Sequence, residues 1–218
     1  MPFLIEVWGD YACFSRPEMK VERCSYDVIT PSAARGLIEA VYWHPGIRWI
    51  IDKIYVLNKI EFSNIRRNEV KSKISAANVR AAMNGGNVQL FIATSDDIAQ
   101  RAALVLRDVH YVIEAHFELV PEKMAPEDNH GKFTDIIKRR LKKGQCYHQP
   151  CFGVREFPAC FRLWEGGEIA TAYQGEERDL GFMLYDMDYS DPEDITPMFF
   201  RAKLKGGAID LCDCEVHR

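Results

Sequence analysis

No apolar run in this chain approaches the ~20 residues that a membrane-spanning helix requires, and the amino terminus lacks the basic-then-apolar layout of a signal peptide. A cytoplasmic protein with no membrane contact is expected. Also absent are the G-x-x-x-x-G-K-[ST] loop that cradles phosphates, the G-x-S-x-G nucleophile elbow and the H-E-x-x-H metal helix. Nucleotide-driven, serine-hydrolase and zinc-protease chemistries therefore have no motif to rest on. The cysteines (Cys13, Cys24, Cys146, Cys151, Cys160, Cys212, Cys214) are odd in number and irregular in spacing, which argues against a disulfide framework.

Two stretches hold three potential metal ligands each: Cys146-Tyr147-His148-Gln149-Pro150-Cys151 and Cys212-Asp213-Cys214-Glu215-Val216-His217. Neither has the paired C-x₂₋₄-C spacing of a structural zinc module. The carboxylates Asp186, Asp188, Asp191 and Asp194 fall among turn residues, as a solvated loop does. No metal and no cofactor is expected.

What the chain does have is 218 residues, 47% of them hydrophobic and 28% charged, enough to bury a sizeable core. The net charge of −4 counts against a polyanionic partner, but the charge is segregated. Glu156 to Asp194 holds eleven acids against Arg162 and Arg178, a net −9, which leaves +5 on the rest of the chain.

Phe3 to Trp8 reads as a strand ended by Gly9-Asp10. Thr30-Pro31 opens a helix along Ala34, Leu37, Ile38 and Val41, with Tyr42 and Trp43 in its last turn and His44-Pro45-Gly46 as its stop. Strands are expected over 48–57 and 61–67, a short helix over 76–83, and a long alternating strand over 102–120. A second amphipathic helix, 132–143, buries Phe133, Ile136, Ile137 and Leu141 and presents Lys132, Lys138, Arg139, Arg140, Lys142 and Lys143. Beyond Gly144 only short strand-like runs occur (161–164, 169–173, 182–185, 198–204), so the texture becomes all-β. The reading is α+β, with a first part over 1–145 and a small antiparallel β-sheet domain over 146–218.

The basic helix alone reads as a solvated face with cations at the favourable end of its dipole. Together with Arg66-Arg67 and the Lys71, Lys73 pair it becomes a candidate phosphate-backbone site. Metal-free RNA cleavage needs a base for the 2′-OH proton, a cation for the phosphorane and an acid for the leaving 5′-oxygen. Tyr42 and Lys132 are of the right types, although nothing in the sequence alone brings them together.

The stretches VWGDYACFSRPEMKVERCSYDVITPSAARG, EAVYWHPGIRW, IRRNEV, GQCYHQPCFGVREFPA and LGFMLYDMDY closely resemble the type I-C (Dvulg) branch of the fifth CRISPR-associated protein family. The resemblance implies a ferredoxin-like (RNA-recognition-motif-like) amino-terminal domain. It also implies a metal-independent endoribonuclease that cuts precursor CRISPR RNA beside the repeat stem-loop, leaving a 5′-hydroxyl and a 2′,3′-cyclic phosphate. The partners it implies are CRISPR repeat RNA and the other subunits of the type I-C interference complex, where the protein holds the 5′ handle. Double-stranded DNA is a further candidate. The alternative is a catalytically weak RNA-binding subunit of the same complex.

Family catalysis is ascribed to a tyrosine in a Tyr-Trp-x-Pro segment, here Tyr42, and to a Lys-His pair after a Gly. The lysine is Lys132, but Phe133 stands at the histidine position. His130 is the first candidate for the vacant base role, with His44 and His148 from other segments. A Lys132 whose pKa a basic pocket lowered is another.

Overall fold

In the computed structural model, which describes residues 2–19 and 21–218, two helices pack against a predominantly antiparallel sheet and a third, short one stands apart from the core. Helix α1 spans Pro31–Val41, and the Thr30 hydroxyl caps it by accepting from the Ala33 N–H at 3.2 Å. Its buried face is Pro31, Ala34, Leu37, Ile38 and Val41, at the expected helical spacing. The short helix α2, Ala76–Met83, buries nothing. Helix α3, His130–Lys143, starts two residues earlier than the periodicity suggests, because the Asn129 side chain caps it by accepting from the Lys132 N–H at 2.9 Å. Gly144, at φ 61°, ends it in the left-handed conformation that glycine tolerates.

The strands are β1 (Phe3–Ala12), β2 (Arg23–Cys24), β3 (Ile47–Val56), β4 (Glu61–Val70), β5 (Ile98–Leu119), β6 (Cys160–Leu163), β7 (Glu177–Asp188), β8 (Thr196–Lys205), β9 (Ala208–Asp210) and β10 (Val216–His217). They join in one sheet whose main path runs β10-β8-β9-β3-β5-β1-β6. Along β3-β5-β1-β6 every neighbour is antiparallel, α1 follows β1 and α3 follows β5. Strand β5 changes partner along its length. Residues 111–119 pair with β3, and residues 98–107 with β4. The change flanks Asp108, whose φ of 52° lies in the left-handed region that Asp visits more readily than most residues.

Alternation divides the side chains of the sheet. Ile5 and Val7 of β1, Trp49, Ile51 and Ile54 of β3, and Ile113, Ala115 and Phe117 of β5 meet the buried faces of the helices in one core. On the other face of the sheet lie Glu6, Trp8, His110 and His116. The β7–β8 hairpin reaches α1, where Arg35 Nη2 bonds both Asp186 carboxylate oxygens, at 2.8 and 2.7 Å.

Four expectations need correction. Gly9-Asp10 does not end the first strand: β1 runs on to Ala12, with Gly9 paired to Val109 and Tyr11 to Arg107 of β5. Ile169 to Tyr173 is not a strand: among the described residues one backbone–backbone bond, Ala172 N–H to Leu57 O at 2.9 Å, ties it to the neighbouring segment. The other bond there, from the Ile60 N–H, goes to the Tyr173 hydroxyl, so no ladder forms. Tyr42 is not in the last turn of α1 but just past it, extended at φ −150° and ψ 116°, as befits a segment running into Pro45. Asp186 and Asp188 are not in a loop but on β7, where Asp188 pairs with Thr196. As for the expected boundary at residue 145, β6 lies beyond it yet pairs with β1, and β9 pairs with β3.

Candidate functional site

The end of α1 and the start of α3 meet around Phe133. Phe133 is fully buried, with ring centroids 6.5 Å from Tyr42, 4.9 Å from His44 and 6.2 Å from Phe117. Tyr42 is also buried, and it is fixed from two sides. Trp49 Nε1 donates to its carbonyl at 3.0 Å, and the Arg140 guanidinium lies 5.1 Å from its ring centroid. Arg140 Nη1 also donates to the Val41 carbonyl at 2.7 Å, so this cation closes the C-terminal end of α1.

Asp128 organises the charges. Its side chain is 2% exposed and receives Lys132 Nζ at 2.8 Å, with His44 Nε2 at 3.7 Å. The Ala125 N–H donates to it at 2.9 Å. The hydrogen bond from Lys132 and that from Ala125 hold the Asp128 carboxyl below its usual value, and the same bond raises the Lys132 pKa. The bond to Asp128 thus shifts Lys132 away from the base range and favours its charged form. Burial pushes the Tyr42 phenol up, with Arg140 and Lys132 opposing and Asp128 assisting, so at neutral pH Tyr42 is a proton donor.

The structure thus brings Tyr42, His44 and Lys132 together about Asp128. His44 Nδ1 accepts the Gly46 N–H at 3.0 Å. In the neutral ring the proton therefore sits on Nε2, on the Asp128 side, which makes His44 a donor there. His130 faces elsewhere. It stacks on Phe117 with centroids 4.7 Å apart, and lines a cavity of about 270 Å³ with Asp52 and His116. His148 lies against Tyr147 on an outer groove of α1.

The basic residues do not form one patch. Lys138, Arg139 and Lys143 are exposed on α3 and have no salt-bridge partner among the described residues. Lys142 bonds Glu165 at 2.5 Å, and Arg140 is held as described. Arg66 pairs across β4 with Ala102 of β5, fifteen residues from Phe117, a contour of roughly 50 Å at ~3.3 Å per residue. Arg67 is engaged by Glu69 at 3.3 Å and by Glu156. Among the described residues, no three His, Cys, Asp or Glu side chains gather as ligands of one metal.

Asp128 escaped the sequence reading because Pro121 to Asn129 reads as loop. Its spacing of four residues from Lys132 is the signal that points to it.

Residues 3–212 match the family described as CRISPR-associated protein (Cas_Cas5). A protein of Mannheimia succiniciproducens named CRISPR pre-crRNA endoribonuclease Cas5d is 53% identical over 212 residues, 95% of this chain and 93% of its own. One of the same name from Thermus thermophilus is 39% identical over 224 residues, 95% of this chain and 90% of its own. Among solved structures, a CRISPR-associated protein superposes with a TM-score of 0.71 at 23% identity, covering 100% of this chain and 97% of its own. A chain of a CRISPR RNA-guided surveillance complex superposes with a TM-score of 0.51 at 12% identity, covering 100% and 89%. These two likenesses are of fold.

Proposed function

The chain belongs to the CRISPR-associated Cas5 family, in its type I-C branch, and from that membership we propose that it is an endoribonuclease cleaving precursor CRISPR RNA at the repeat stem-loop without metal. The observation that carries this reading is the 53% identity, over nearly the whole chain, to a relative named for that activity. The product then stays bound by its 5′ handle, with the protein as a subunit of the interference complex. Double-stranded DNA is a proposed further ligand of that complex, and the cytoplasm its place. The order β6-β1-β5-β3, with a helix after β1 and another after β5, supports reading the first part as a ferredoxin-like split βαβ unit. The division into 1–145 and 146–218 is proposed as functional: the first carries the site, the second adds the β7–β8 hairpin against α1.

In the proposed reaction the ribose 2′-oxygen attacks the adjacent phosphorus, the 5′-oxygen leaves, and the 2′,3′-cyclic phosphate forms. Lys132 stabilises the negative charge that grows on the phosphorane oxygens, and the first turn of α3 adds its positive dipole end. Tyr42 gives a proton, or a hydrogen bond, to the departing 5′-oxygen. The proton of the 2′-OH goes to a base that Phe133, in its buried position, does not supply. His130 is proposed for that role through rotation of its side chain off Phe117, because in the observed rotamer it faces Asp52 and His116.

Incubation with repeat RNA in excess chelator tests the reading. A discrete product with a cyclic phosphate end supports the enzyme. Bound but intact RNA gives the second reading, an RNA-binding subunit, which the burial of Phe133 at the histidine position favours.

A further inference from the structure

Directly after Tyr42 the chain turns outward and leaves Trp43 60% exposed, while Tyr147, in the loop after α3, is 73% exposed. Both line one groove of about 550 Å³ whose floor is Gly36 and Ala40 of α1. That size lies within the range of small-molecule sites. The Tyr147 end is anchored by its backbone: the N–H groups of Tyr147 and His148 both donate to the Ala40 carbonyl, at 2.9 and 3.1 Å. A Cβ added to Gly36 would meet nothing within 4 Å, so the floor is open.

The groove continues along α1 into a second of about 660 Å³ that reaches His148 and Arg155 and has no carboxylate in its lining. Glu39, the acid of the first groove, is engaged by Arg35 Nη1 at 3.2 Å. Aromatic faces at one end and an exposed guanidinium at the other match a single nucleic-acid strand, whose bases stack and whose phosphates seek positive charge. Trp43 directly follows Tyr42 in the chain, and this adjacency to a residue of the candidate site, together with the Arg155 charge, selects RNA as the occupant.

We propose that Trp43 and Tyr147 form a stacking platform for unpaired bases of the RNA beside the scissile phosphate, with the strand led along α1 towards Arg155. The inference rests on the endoribonuclease reading above. Stacking tolerates any base, so the platform sets the path of the strand rather than the choice of repeat.

The test measures Kd by fluorescence anisotropy on repeat RNA from the organism's own array, with a 2′-deoxy nucleotide at the cut so that it stays intact. Trp43→Ala and Tyr147→Ala are each expected to bind about 5- to 100-fold more weakly, while Trp43→Phe keeps most of the affinity. RNA with abasic nucleotides beside the cut should lose as much affinity for the unaltered protein, and Trp43→Ala should lose nothing further on it. The abasic arm needs no variant, so a misfolded substitution does not end the test. Equal affinity of Trp43→Ala and the unaltered protein for intact RNA overturns the platform. Additive losses from Trp43→Ala and the abasic RNA also overturn it, and leave a protein partner as the occupant. Failure of the unaltered protein to bind repeat RNA at all overturns the endoribonuclease reading and the platform with it.

Discussion

Asp128 holds the Lys132 ammonium at 2.8 Å, with almost no access to water around the carboxylate. An ammonium fixed in this way stabilises the charge that develops in the transition state more than that of the bound substrate, so its removal should fall on the rate. Lys132→Ala is expected to slow cleavage by roughly 10² or more, with RNA affinity little changed, because one phosphate interaction is a small part of a strand's binding. Single-turnover rates and anisotropy titrations separate the two, and equal losses in both would make Lys132 a binding residue only. Phe133 poses a different question. It has no exposed surface and touches three aromatic rings, so an imidazole there would be buried without a built partner. Phe133→His is expected to cost about 1–3 kcal/mol in urea unfolding and to add no limb near pH 6.5 to the rate of the folded enzyme. A faster variant with that limb would show that the missing histidine limits the chemistry.

Helix α3 serves two purposes on two faces. Phe133, Ile137 and Leu141 pack inward, while Lys138, Arg139 and Lys143 point to solvent. Neutralising those three cations should flatten the salt dependence of RNA binding, by about 0.7 in log–log slope for each phosphate they no longer neutralise. An unchanged slope would return this face to a merely solvated role. Arg140 belongs to the same run of charge but to a different task, since it bonds the Val41 carbonyl and covers Tyr42. Arg140→Ala is expected to destabilise the fold by about 1–2 kcal/mol, measured by urea unfolding, and to leave the salt slope nearly unchanged. Grouping Arg140 with its neighbours as a phosphate ligand would miss this.

Across the whole molecule the sheet carries a buried charge on the face away from the helices. Glu6 is 3% exposed. Burial alone would raise its pKa, but hydrogen bonds from Arg162 and His110 outweigh it and hold the carboxyl below its ordinary value. A carboxyl lowered in the folded state stabilises the protein above the unfolded-state pKa, and that contribution is lost as the pH falls through the folded value. Thermal unfolding between pH 7 and pH 3 should therefore show a falling acid limb that is shallower in Glu6→Gln. Parallel limbs in the two proteins would assign acid unfolding to other carboxylates. Because β1 lies between β5 and β6, loss of this pair loosens the junction between the parts of the sheet before and after residue 145.

The local elements were legible from the sequence because their signals are local. Thr30-Pro31 and the 3–4 spacing behind them define α1, the apolar spacing up to Gly144 marks α3 apart from the first turn that Asn129 adds, and alternation marks the long β5. The run at 169–173 looked equally strand-like and failed, because a strand exists only if a partner offers a ladder, and that partner is chosen elsewhere in the chain. The site divides in the same way. Residue types and the family resemblance marked Tyr42 and Lys132, whereas the direction of His130 towards Asp52 and His116, the capture of Arg140 by Val41 and the burial that keeps Tyr42 protonated arise between segments far apart in sequence. Periodicity and capping act over a turn or two of backbone and are written in neighbouring residues. Desolvation and the pairing of charges depend on which surfaces close upon each other, and only the folded chain decides that.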